Sequence, residues 1–209
     1  MLQALADVRD PASIVVEEAP SARPVMHERL PILRPGTFYE MDSGGLGFGM
    51  AAAIGVALAR PEVRTIALMG DGSAMYTIQA LWTMAREKLN VVAVILNNRA
   101  YSILNAELQR VGAAAAGANA KAQFDLSDPA LNFAQMGSSM GVSSVRVTTT
   151  EEFVAALERA FKTPGPHLIE AVVPSAISGL KLKLMPLVLG ALASLPAPVA
   201  RSIKRKLAP

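Results

Sequence analysis

Thr65-Ile66-Ala67-Leu68-Met69-Gly70-Asp71-Gly72-Ser73 is an apolar run that ends abruptly in small and acidic residues, and Val91-Val92-Ala93-Val94-Ile95-Leu96-Asn97-Asn98 repeats that plan one helix later. Continuous apolar runs of this length suit strands buried on both faces of a parallel sheet. Short apolar runs alternate with helix-periodic stretches along the chain, the pattern of β-α units. Strands are expected at Ser13–Val16, Thr65–Met69, Val91–Leu96, Ser144–Val147 and Leu168–Val173. Helices are expected at Gly47–Ala59, stopped by Arg60-Pro61, at Thr77–Leu89, and at Thr150–Phe161, where Thr150-Glu151-Glu152 reads as a capping start. The fold class is therefore α/β, a three-layer α/β/α arrangement around a mostly parallel sheet. Val111–Ser127, rich in Ala and Gly, reads as a long loop.

Both polar clusters follow strands, so both fall at the carboxyl edge of the sheet, where open α/β folds bind ligands. The 27-residue step from Asp71 to Asn98 is one helix, one turn and one strand. If those strands are neighbours, their ends lie roughly 5 Å apart, within reach of one cation. Oxygen ligands from Asp and Asn suit magnesium, which completes its shell with water and phosphate oxygens. Gly70 and Gly72 let the backbone approach closely, and Ser73 with the following amides can receive phosphate. Alone, Gly-Asp-Gly is an ordinary turn and Asn-Asn an ordinary helix cap. Their joint occurrence after two buried strands favours a magnesium diphosphate site. Gly45-Leu46-Gly47-Phe48-Gly49 matches a dinucleotide fingerprint poorly, because its third glycine comes one position early and no clear strand precedes it. No Gly-Lys-Ser/Thr occurs, which excludes a P-loop.

The 209 residues lack cysteine, which excludes disulfides, thiolate metal sites and a thiol nucleophile. The start MLQALADVRDPAS lacks the apolar run of a secretory signal, and a cytoplasmic location is the expectation. Of the formal charge of +3, residues 1–178 contribute −3 (14 basic, 17 acidic) and residues 179–209 contribute +6. An acidic body gives no support to a nucleic-acid partner. The chain divides into a domain over 1–178 and a basic, apolar tail over 179–209. Within the tail, Leu184–Ala200 is uncharged for 17 residues but holds Pro186, Pro196 and Pro198, which disfavour a membrane-spanning helix. Packing of the tail on the domain or a partner is the preferred reading over peripheral contact with a membrane surface.

Gly70-Asp71-Gly72, then 24 residues, then Asn97-Asn98 resembles the signature of thiamine diphosphate enzymes. The likeness runs from about Ser13 to Pro174. Val15-Val16-Glu17-Glu18-Ala19-Pro20-Ser21, Gly44-Gly45-Leu46-Gly47-Phe48 and Ala52-Ala53-Ile54-Gly55 are similar to the diphosphate-binding domain of benzoylformate decarboxylase, acetolactate synthase and related 2-oxo-acid enzymes.

The resemblance implies thiamine diphosphate and Mg2+ as cofactors and a 2-oxo acid as substrate, in decarboxylation or carbon–carbon ligation. It implies that Asp71 and Asn98 ligate magnesium through side chains and Ala100 through its carbonyl. It implies that Ser73, Ser21 and the Tyr101 backbone hold the diphosphate, that the Gly44 carbonyl meets the aminopyrimidine, and that Leu46 is the apolar wedge under the cofactor. Ile103, Leu104 and Glu107 would border the substrate. Pro20 stands where relatives can carry a hydroxyl residue, and Leu104 where pyruvate decarboxylases carry an acid, which disfavours plain pyruvate decarboxylation. In this family the glutamate that activates the pyrimidine belongs to another domain, usually contributed across a subunit interface. No such domain is expected within these residues, and Glu17 and Glu18 read as structural. The expectation is the cofactor-binding half of a decarboxylase or carboligase, a fragment or a subunit of a homo- or hetero-oligomer with a pyrimidine-domain partner. The alternative is a non-catalytic cofactor-binding or regulatory module. His27 and His167 read as packing or surface residues, Tyr76 and Trp82 as core or subunit contacts, and Met69, Met75, Met84 and Met136 as packing.

Overall fold

A computed structural model of the chain describes residues 1–110 and 117–174; the tail at 179–209 and its boundary lie outside the described residues. Six parallel strands form one sheet: β1 Ile14–Glu18, β2 Phe38–Glu40, β3 Thr65–Gly70, β4 Val91–Asn97, β5 Ser143–Val147 and β6 His167–Val172, in the order β2-β1-β3-β4-β6-β5. The five expected strands are present. The sixth, β2, is only three residues long, too short to carry a periodic signal.

Nine helices are described: α1 Leu2–Val8, α2 Arg23–Arg29, α3 Phe48–Ala59, α4 Asp71–Ala74, α5 Ala80–Arg86, α6 Ser102–Arg110, α7 Ala118–Ala122, α8 Phe133–Ser139 and α9 Thr150–Lys162. The strand period of two divides the core into two layers. Val15, Ile66, Leu68, Val92 and Val94 face Leu5, Met26, Phe153 and Leu157 of α1, α2 and α9. Val16, Ala67, Met69, Val91 and Ile95 face Met50, Ala53, Leu81, Met84 and Phe133 of α3, α5 and α8. Each large side chain buried in these layers contributes about 1.5–3 kcal/mol. The three-layer α/β/α fold is thus written in the alternation within single strands.

Helix ends differ from the sequence reading for local reasons. The capping box of α9 starts one residue earlier than expected: Thr149 Oγ1 accepts from Glu152 N at 3.2 Å, and Glu152 Oε2 accepts from Thr149 N at 3.2 Å. Helix α5 is shorter than Thr77–Leu89, in part because Lys88 adopts φ +50°, which no right-handed helix accommodates. The expected loop at 111–127 contains α7, and residues 111–116 lie outside the described residues.

Glu18, buried at the end of β1, fixes how α3 enters the domain. Its Oε1 accepts from Gly47 N at 2.7 Å and its Oε2 accepts from Gly49 N, so one carboxylate satisfies two donors at a helix N-terminus. The glycine run is explained here. Gly47 holds φ +95°, and a Cβ on Gly49 would lie 2.6 Å from Met69 Sδ and 2.9 Å from Glu18 Cβ. Glu18→Ala leaves two backbone donors without their acceptor, and a loss of about 2–3 kcal/mol is expected in urea unfolding. An unchanged midpoint would show that α3 does not depend on this carboxylate.

Candidate diphosphate and metal site

From β1 the chain steps outward to β2 and then crosses back to β3 on the other side of β1. Adjacent connections leaving in opposite directions open a crevice at the carboxyl ends of β1 and β3. A cleft of about 370 Å³ occupies that position, lined by Ser21 and Pro20 after β1, Gly70 to Ser73 after β3, and Asn98, Ala100 and Tyr101 after β4. Leu46 from the loop before α3, Ile103 and Leu104 from α6, and Phe124 complete its apolar walls.

Strands β3 and β4 pair directly, with Gly70 opposite Leu96, so the neighbour relation required for a shared cation holds. Asp71 is 3 % exposed, and its Oδ2 accepts from Arg99 N at 2.7 Å while Oδ1 accepts from Gly72 N at 2.9 Å. Asn98 Oδ1 accepts from Ala100 N at 3.0 Å. Burial pushes the Asp71 carboxyl pKa up from its ordinary value, against the backbone hydrogen bonds that favour the anion. Among the described residues no Lys or Arg side chain forms an ion pair with Asp71. A buried carboxylate without a cationic side chain, beside amide and carbonyl oxygens, is a donor set suited to a hard divalent cation. Among the described residues no group of three or more His, Cys, Asp or Glu side chains stands together.

Arg99 adopts φ +60°, rare for a residue with a side chain and costing about 1–2 kcal/mol. The conformation turns its N–H toward both Asp71 Oδ2 and Asn97 Oδ1, the latter at 3.1 Å. A second clamp comes from the segment before residue 127: Tyr101 N donates to Phe124 O and Leu126 N to Arg99 O, each at 2.9 Å.

The glycines differ in role. A Cβ on Gly72 would run into Tyr101 Cε1 and lie 2.6 Å from Cδ1 of the same ring, whereas at Gly70 the nearest atom would be 3.7 Å away. Close approach is therefore a requirement at Gly72 and not, for protein packing, at Gly70. Eleven expected residues line the cleft: Ser21, Leu46, Gly70, Asp71, Gly72, Ser73, Asn98, Ala100, Tyr101, Ile103 and Leu104. Gly44 and Glu107 are outside its lining, and Gly44 N bonds back to Met41 O at 3.2 Å. Tyr101, whose backbone is expected to hold the diphosphate, lines the cleft, and its N–H donates to Phe124 O. No sequence signal points to Phe124, because it lies in a stretch without helical or strand period.

Glu17 and Glu18 are both committed to the protein. Glu17 Oε1 accepts from Ala19 N, and its Oε2 pairs with Arg23 at 2.8 Å. His167 is buried with Nε2 3.1 Å from Thr163 O, remote from the cleft, as a packing role requires. Met69 and Met84 are core residues, but Tyr76 and Trp82 are more than half exposed, so neither is a core residue of this chain.

This fold and cleft define an α/β domain with an oxygen-lined crevice at the carboxyl edge of its parallel sheet. The profile of the family described as "Thiamine pyrophosphate enzyme, C-terminal TPP binding domain" matches residues 21–171, and the chain belongs to that family. The chain is 45% identical over 166 residues to IlvX of Mycobacterium tuberculosis, a protein named for the acetolactate synthase large subunit, covering 79% of this chain and 32% of that one. It is 35% identical over 160 residues to benzoylformate decarboxylase of Pseudomonas aeruginosa, covering 76% and 29%. A solved thiamine diphosphate-dependent 4-hydroxybenzoylformate decarboxylase of Rhodococcus jostii RHA1 superposes with a TM-score of 0.76 at 32% identity, over 83% of this chain and 32% of that one. The chain spans about a third of the length of these relatives.

Proposed function

We propose that this chain is the cofactor-binding half, a fragment or a subunit, of a 2-oxo-acid decarboxylase or carboligase whose active site is completed by a pyrimidine-binding domain. The observation that carries the reading is that Asp71 and Asn98 each follow directly on the ends of the neighbouring strands β3 and β4 and line one cleft, the rest of which is lined largely by apolar side chains. Asp71, Asn98 and the Ala100 carbonyl would hold magnesium, and Ser21 and Ser73 stand where phosphate oxygens would lie. Thiamine diphosphate supplies the electron sink for cleaving the bond beside a substrate carbonyl. Leu46 would offer an apolar surface to the cofactor, and Ile103, Leu104 and Phe124 would form the apolar wall on the substrate side once a covering domain is in place.

Need for a partner rests on what the cleft lacks. Among the described residues Asp71 is the one acidic residue in its lining, and Glu17 and Glu18 already bind backbone amides. Among the described residues, no carboxylate remains there to activate a pyrimidine ring. Leu46, Ile103 and Leu104 are 44%, 37% and 42% exposed at the mouth, consistent with a covering domain that forms a homo- or hetero-oligomer. The test is decarboxylation of a 2-oxo acid by the chain with magnesium and thiamine diphosphate, alone and with a separately produced pyrimidine domain. Turnover only in the mixture supports the reading. Strong turnover by the chain alone contradicts the partner requirement, and binding without turnover in either case favours a non-catalytic module.

A further inference from the structure

We infer that Glu170 is a positioning residue for the turn that carries Asn98 and Ala100, acting through Asn97. The inference rests on the metal-site reading above but concerns a residue that does not line the cleft. Glu170 lies on β6 and is fully buried. Its Oε1 accepts from Asn97 Nδ2 at 2.7 Å, and its Oε2 accepts from Ala134 N, in the first turn of α8, at 3.0 Å. Arg146 Nε lies 3.5 Å from Oε1 and balances the charge.

The chemistry of the carboxylate sets the direction of the chain of hydrogen bonds. An ionised carboxylate only accepts, so Asn97 must turn its amino group toward Glu170. Its Oδ1 then faces the other way and accepts from Arg99 N at 3.1 Å. That N–H is also the donor to Asp71 Oδ2. One buried acceptor on the neighbouring strand thereby fixes which way the amide of Asn97 points and holds Arg99 in its left-handed conformation. The turn between them places Asn98 and Ala100 beside Asp71. If β6 only needed a buried side chain for packing, an apolar residue of similar volume would serve without the cost of desolvating a charge.

Glu170→Gln keeps the shape but adds a donor. Its amino group must oppose either Ala134 N–H or the amino group of Asn97, and relieving the second conflict by flipping Asn97 turns a donor against Arg99 N–H. Adding Asn97→Asp restores the pattern: the amide introduced on β6 donates to the carboxylate introduced on β4, and that carboxylate accepts from Arg99 N. The test uses the full chain and two readouts. One is hydrogen exchange at the Arg99 amide without ligand. The other is the calorimetric affinity for Mg2+ with saturating thiamine diphosphate.

Glu170→Gln is expected to speed Arg99 exchange about tenfold and to weaken Mg2+ about 10–100-fold, with amides of β4 and β6 unchanged. The double variant is expected to recover most of both. Unchanged Arg99 exchange in Glu170→Gln overturns the inference, as does a double variant no better than the single one, which is the behaviour of a packing role. If the unaltered chain binds no Mg2+ while Arg99 exchange follows the expected pattern, the metal-site reading fails and the hold of Glu170 on the turn stands.

Discussion

Asp71→Ala is expected to abolish magnesium-dependent binding of thiamine diphosphate, weakening it by more than about 100-fold, a larger loss than substitutions behind a metal site produce. Among the described residues Asp71 is the one acidic side chain lining the cleft, whereas Asn98 and Ala100 would contribute neutral oxygens. Fold stability changes little, because two effects oppose each other. Loss of a buried carboxylate whose pKa is already raised removes a desolvation cost, while the N–H groups of Gly72 and Arg99 lose their acceptor. A net change within about 1 kcal/mol follows. Calorimetry with and without magnesium measures the first quantity and urea unfolding the second. Retained magnesium dependence would place the cation elsewhere.

Gly72→Ala acts on the cleft by another route. The new methyl would overlap Cε1 and Cδ1 of the Tyr101 ring at separations that real Cβ atoms do not tolerate. Because the obstacle is a side chain, the ring swings from its place in the cleft wall, and stability falls by only about 1 kcal/mol. Cofactor affinity bears the larger effect, with at least roughly a tenfold loss expected, since productive positioning is sensitive to displacements of about 1 Å. Gly70→Ala, whose Cβ would meet only ordinary protein contacts, is expected to leave the Tyr101 ring in place. Tyr101→Ala combined with Gly72→Ala removes the overlap, and recovered binding in that pair would identify the ring as the cause. Unaffected binding in Gly72→Ala alone would show that the ring's position does not matter to the cofactor.

These effects trace to residues of differing visibility in the sequence. The paired strands and their polar ends were legible because buried parallel strands are continuous apolar runs and the Gly-Asp-Gly and Asn-Asn clusters sit immediately after them. Leu46 and Ser21 needed the family likeness, since neither carries a spacing rule. The glycines at 47 and 49 were legible only as an imperfect fingerprint, and their cause, a carboxylate from β1, lies 29 and 31 residues away. Glu170 could not be found at all by local pattern: its partner Asn97 is 73 residues distant, and a lone glutamate in an apolar strand announces no role. The clamp by Phe124 and Leu126 was hidden in an Ala- and Gly-rich stretch read as loop. Expectations carried by resemblance alone placed Gly44 and Glu107 at the site, and both lie outside the lining of the cleft in this chain.

That a divalent cation and a diphosphate share the ends of β3 and β4 is tested most directly by replacing magnesium with paramagnetic manganese in the presence of thiamine diphosphate. Backbone amide resonances then report distance from the metal. Selective broadening is expected at residues 70–73 and 98–101, with the amino-terminal ends of the strands near Arg64 and Asn90 unaffected. Broadening centred anywhere else, or equal broadening in Asp71→Ala, would contradict a shared site at these strand ends.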